Sequence, residues 1–181
     1  MELVEGVATV EDVDAFVDRL GAIGADHGVT VQAFDARYIV DRGHLERAVA
    51  LADRAIARGE NVARDRAVEV LCYAAGRRQI ERALELGVSA GEGPVVVLVD
   101  AAPGGEEGDA TRERADDAER ERDAVATLES MHALDPRPTL GDYDPDRVRE
   151  FFEVSEAELA AVDGDLAALV HERVALLDVE K

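Results

Sequence analysis

Val95-Val96-Val97-Leu98-Val99 is an unbroken apolar run, opened by Gly93-Pro94 and closed by Asp100. A strand written this way has no polar side to give to water. It must lie inside a sheet that is covered on both faces. The covers are also legible. Leu45, Ala48, Val49, Ala52 and Ile56 make one apolar stripe over about His44–Arg58, and Gly59 sits at the C-cap position. Arg66–Ala75 turns Val68, Leu71, Cys72 and Ala75 inward and ends at Gly76. Arg78–Leu86 follows, with Ile80, Ala83 and Leu84 inward and Gly87 as its stop.

Glu2–Ala8 alternates as a first strand. Thr9 is placed to cap a helix carrying Val13, Phe16, Val17 and Leu20, which Gly28 ends, and Val29–Phe34 reads as a further strand. Ser155 with Glu158 is a capping box, and Asp165 caps a last helix with Leu166, Leu169, Val170, Val174 and Leu177 on one face. Pro136, Pro138, Gly141 and Pro145 mark loops. Residues 102–123 combine a Pro-Gly-Gly linker with charge on every face, and read as a flexible acidic insertion outside the core. A packed helix resumes at Val125, Leu128 and Met131. The expectation is one domain over residues 1–181. Its fold is mixed α/β, a small central sheet of three to four strands flanked by several helices.

Charge narrows the setting. Asp and Glu number 41 against 20 Lys and Arg, a net charge of −21, and the only Lys is Lys181. Such a composition resembles that of proteins from halophiles that keep molar salt in the cell, where carboxylate repulsion is screened within about 3 Å. One stretch departs from it. Residues 37–86 hold 8 acids and 10 arginines, among them Arg37, Arg42, Arg47, Arg54, Arg58 and Arg66. There is no span of apolar residues long enough for a bilayer, no basic-then-apolar leader at the N-terminus, and only one cysteine, Cys72. The chain reads as cytoplasmic.

Catalytic patterns are missing. His27, His44, His132 and His171 are scattered, without metal-ligand spacing, and Cys72 falls on an apolar stripe. Val95–Val99 followed by Asp100 resembles a strand ending in a magnesium carboxylate. A nucleotide site of that kind also needs a glycine-rich loop with Lys, which the chain does not contain. The reading is a protein without catalysis, cofactor or metal.

Asn61 to Gly87, with Val68-Glu69-Val70-Leu71, a glycine break and Arg78-Gln79-Ile80, resembles the kinase-binding subunit of the KEOPS complex. KEOPS makes the threonylcarbamoyl modification of adenosine in tRNA. The resemblance implies a non-catalytic subunit that binds the complex's kinase-like ATPase subunit and the 3′ end of tRNA, meeting other KEOPS subunits indirectly. It places tRNA contact at Asn61, Arg64, Tyr73, Arg77, Arg78, Gln79 and Arg82, because arginine suits phosphate forks and a tyrosine can stack a free base. The helix start after Gly76 is expected to present its amides to a phosphate. Leu176 and Val179, off the inward stripe of the last helix, are placed in the kinase-subunit interface. A purely protein-binding regulator of that ATPase, without tRNA contact, is the alternative.

Overall fold

The computed structural model describes residues 1–102 and 110–178, the side chains of 110–113 excepted. The strands are β1 (Glu2–Val10), β2 (Thr30–Asp35), β3 (Gly91–Asp100) and β4 (Leu134–Pro136). They form one antiparallel sheet in the order β2-β3-β1-β4. The helices are α1 (Val13–His27), α2 (Arg42–Arg58), α3 (Arg66–Ala75), α4 (Ile80–Ala83), α5 (Ala110–Glu129), α6 (Pro145–Phe151), α7 (Glu156–Ala161) and α8 (Leu166–Leu176). The mixed α/β expectation holds.

β3 is covered on both faces, as its apolar run requires. Val95, Val97 and Val99 join Val4, Val31, Phe16, Leu20, Ala124 and Leu128 beneath α1 and α5. Val96 and Leu98 join Phe34, Leu45, Leu71, Phe151 and Val170 beneath α2, α3, α6 and α8. The sheet is therefore the middle layer of three.

Several expectations are corrected. Thr9 does not cap α1. β1 runs through it to Val10, which pairs with Gly91, and Asp12 caps the helix by accepting from Ala15 N at 2.9 Å. The helix expected over Arg78–Leu86 is only the short α4 followed by a 3-10 turn at Leu84–Leu86. Ala83 is buried as expected, but Ile80 and Leu84 are exposed. Pro136 belongs to β4, an edge strand that tolerates a proline. Within 102–123, residues 103–109 lie outside the described residues. From Ala110 the backbone is helical and continuous with Val125–Leu128, and the Glu121 carboxylate is buried. That carboxylate accepts from the Met1 amine at 3.0 and 2.9 Å and from Ala101 N at 2.9 Å. This end of the segment therefore packs on the core.

His44 is fully buried on α2, 5.9 Å from the Phe152 ring centroid. Its Nε2 lies 2.8 Å from the Ala74 carbonyl, which can only accept, so the neutral ring carries its proton there; Nδ1 has no partner. Burial pushes the imidazole down to about 4. In the unfolded chain the same ring takes its proton near pH 6.5. The unfolded state thus binds more protons between those values, and stability falls as pH drops from about 6.5 to about 4. His44→Gln should remove that component. Melting curves of the two proteins should therefore converge in slope above pH 7 and differ below pH 6.

Candidate functional site

The surface is organised by how α3 is set into the molecule. Asp65 caps it, accepting from Val68 N at 3.1 Å, and Gly76 ends it with φ 59°. A Cβ at Gly76 would sit 3.2 Å from the Arg173 carbonyl oxygen of α8, so glycine is required twice over, by backbone and by packing. Glu69 through Ala75 are all buried. Cys72 is among them, and burial, with the Glu69 charge beside it, lifts its thiol up to about 11. It is a packing residue that is not ionised at neutral pH.

Tyr73 was expected to stack a base. It is 2% exposed in the main core, and its ring is not available at the surface. The reason is that over Glu69–Ala75 α3 is enclosed by its neighbours, which include α2, β2, α4 and α8, so this part of the helix has no outer stripe. Arg77 is half-buried and structural in its contacts. Its Nη2 donates to the Phe151 carbonyl at 2.7 Å and to Glu153 Oε1 at 2.8 Å, and its guanidinium stands 5.7 Å from the Phe151 ring centroid. It ties the end of α3 to α6. Arg78 and Gln79 are exposed in the turn that follows. A four-residue helix sums too few peptide dipoles for the anion site expected at its start, so that part of the expectation fails.

Asn61 and Arg64 lie on the loop before α3. Asn61 Nδ2 donates to the Ala63 carbonyl at 2.6 Å, and Arg64 is exposed. Ten helical residues, a length of about 15 Å, separate this loop from Arg77 and Arg78. The two groups do not close one site.

What the fold does bring together is a polar cleft of about 400 Å³ lined by Tyr38, Arg82, Glu85, Arg147, Glu150 and Phe151. The Arg147 guanidinium stands 5.9 Å from the Tyr38 ring centroid, and Tyr38 packs edge-on to Phe151 at 5.5 Å. Arg82 Nη1 donates to Glu85 Oε1 at 2.6 Å. Tyr38 and Arg147 carry no local signal. They meet because Asp144 N donates to the Arg37 carbonyl at 2.9 Å, docking the start of α6 on the turn after β2. That turn is fixed by Asp35, which accepts from Arg37 N at 3.0 Å and pairs with its guanidinium, and the bond holds the Arg37 pKa above its ordinary value.

Leu176 is half-buried on α8; Val179 lies outside the described residues. Asp100 is a counter-ion, not a metal ligand in waiting. It pairs with Arg66 at 2.5 Å and with the Met1 amine at 3.4 Å. His171 pairs with Asp41 at 2.9 Å, and His27 bonds Thr127 at 3.0 Å. Among the described residues no group of three or more His, Cys, Asp or Glu side chains could hold a metal, and no helix is long and apolar enough to cross a membrane.

No curated protein matches the chain significantly. A family model described as kinase binding protein CGI-121 matches residues 9–178, which takes in every helix and all of β2, β3 and β4. The chain belongs to that family, the family of the KEOPS kinase-binding subunit.

Proposed function

We propose that the chain is the single-domain, non-catalytic KEOPS subunit that holds the kinase-like ATPase subunit and the 3′ end of tRNA, supporting threonylcarbamoyladenosine formation in the cytoplasm at high salt. The observation that carries the tRNA part is the exposed Arg78-Gln79 turn beside a cleft where Arg82 and Arg147 flank the rings of Tyr38 and Phe151. Guanidinium groups fork to phosphate, and the half-buried Tyr38 with Arg147 beside its ring offers a surface for an unpaired base. The kinase partner follows from the family, and α8 with Leu176 is its proposed docking element.

The test is tRNA binding in molar KCl, where long-range attraction is screened and close contacts dominate. Arg78→Glu with Arg82→Glu should weaken binding by about tenfold or more, each lost phosphate contact also lowering the salt dependence. Removing the unpaired 3′ nucleotides should have a similar effect on the wild type. Arg77 is left intact because it holds α6. An unchanged affinity in a folded double variant favours the second reading, a regulator that binds protein alone. The pairing of Arg82 with Glu85 speaks for that reading.

A further inference from the structure

α2 carries four arginines and two acids, in a chain with 41 acids against 20 bases. Both of its acids are already engaged. Glu46 accepts from Arg42 Nε at 2.8 Å, and Asp53 accepts from Arg66 Nε at 2.7 Å. Arg47 and Arg58 are exposed and make no hydrogen bond or ion pair among the described residues. Arg54, its side chain 51% exposed, has Asp178 at 3.6 Å.

These three arginines share one face of the helix. Positions 47, 54 and 58 are seven and four residues apart, so they recur within about 40° around the axis and over a length of about 16.5 Å. Ala50 and Ala57 are exposed on the same side, and their short side chains let a ligand come close to the helix. The stripe of Arg47, Ala50, Arg54, Ala57 and Arg58 holds no acid, no ring and no large apolar side chain. By contrast α1 exposes Asp14, Asp18 and Asp26.

That composition selects the ligand. A protein partner needs a buried apolar or aromatic anchor, which the stripe does not offer. A single strand needs rings on which to stack its bases, and none stands here. The backbone of a duplex needs neither. It presents phosphates in a row, about one per 3.4 Å of axis along each strand, and guanidinium groups fork onto them. The net charge of −21 opposes such a ligand from a distance. Salt screens that repulsion beyond about 8 Å at physiological strength and more closely above it, so the local face decides.

We infer that the exposed face of α2 binds the phosphate backbone of a double-stranded nucleic acid, through Arg47, Arg54 and Arg58 and without reading its sequence. The assignment goes beyond the 3′-end reading. It concerns paired nucleotides, uses other residues, and stands if that reading fails.

The probe is a blunt-ended RNA duplex of about 16 base pairs, with a DNA duplex of the same sequence as the second arm. Binding is measured in a KCl series from about 0.2 to 1 M, where melting curves show the chain folded. Arg47→Gln with Arg58→Gln should weaken binding about tenfold or more at the low end, and the slope of log K against log salt should become shallower by about two. Neither side chain makes a bond in the fold, so the melting temperature should not change. Ala50→Glu, which puts an acid on the stripe, should also weaken binding. Arg19→Gln with Arg122→Gln removes the same charge from α1 and α5 and should leave affinity and slope as they are. Arg78→Glu with Arg82→Glu should leave duplex binding intact, which separates this surface from the 3′-end site. Binding of either duplex at the stripe supports the assignment, and the tighter one names the ligand. No binding of either duplex, an unchanged slope in the Arg47 and Arg58 variant, or an equal loss in the Arg19 and Arg122 control would overturn it. So would polyglutamate displacing the duplex at equal concentration of charge, which would give the face to an acidic protein.

Discussion

Arg66→Ala should cost about 3–5 kcal/mol of folding stability, read from the urea midpoint at constant slope. Arg66 Nε and Nη2 fork onto Asp53 at 2.7 and 2.8 Å. Nη2 also donates to Asp100 at 2.5 Å, and Nη1 reaches Thr30 Oγ1 at 2.9 Å and the Asp100 carbonyl at 3.2 Å. One side chain thus joins α3 to α2, β2 and β3. The side chains of Arg66, Asp53 and Asp100 are only 13%, 19% and 11% exposed. Burial, with the Glu121 charge nearby, pushes the Asp100 carboxyl up, and Arg66 and the Met1 amine work against that shift. Without the arginine, the mostly buried Asp53 loses this partner and Asp100 is left with the Met1 amine at 3.4 Å, which is the expensive way to break an ion pair. Arg66→Lys should lose less than alanine but well short of nothing, because an ammonium cannot serve both carboxylates in the plane of a fork. A loss below about 1 kcal/mol for the alanine variant would mean the network is a surface pair in energetic terms.

Glu69→Ala should cost about 2–3 kcal/mol and free the loop before α3. Glu69 is 1% exposed, and its Oε2 accepts from Val62 N at 3.0 Å and Ala63 N at 2.8 Å. Alanine leaves both amides without that acceptor, and Ala63 is itself buried. Glu69→Gln keeps an acceptor oxygen and should cost markedly less. Amide exchange at Val62 and Ala63 should speed up in the alanine variant and change little with glutamine. Equal exchange in both would place the restraint on this loop elsewhere. Since the loop presents Arg64 and Asn61, its order and any part it has in binding can be separated with this pair of variants.

Much of this fold was legible because several of its signals are local. The apolar run Val95–Val99 required two covers and has them. Gly28, Gly59 and Gly76 end α1, α2 and α3, and Ser155 with Glu158 makes the capping box of α7. The misreadings share a cause, since each needed knowledge of what lies on the far side of an element. Tyr73 is off the stripe of an ordinary amphipathic helix, but α3 has neighbours all round it. The inner face of α5 at Glu121 is polar, held by the Met1 amine and Ala101, and counting apolar residues cannot detect a helix that packs through a carboxylate. Arg66 was one arginine among ten until Asp53 and Asp100 were brought to it. The Tyr38–Arg147 pair depends on a backbone bond between Asp144 and Arg37, residues far apart in the chain.

The strand order has a consequence for how the chain comes off the ribosome. β2 pairs with β3 alone, and β1 with β3 and the still later β4. No two strands of the sheet can therefore pair until β3 has been made. At roughly 5–20 residues per second, β1 waits unpaired for several seconds to about twenty. Its pairing with β3 closes a loop of some eighty residues, with the slow kinetics of non-local contacts. Meanwhile α1, α2 and α3 can form locally, each with its own cap, but have no sheet to cover. β3, the most apolar segment, thus emerges when β1 and β2 are already made and can pair with both at once, before α5, α6 and α8 complete its covers. That order spares the nascent chain a long-lived hydrophobic strand.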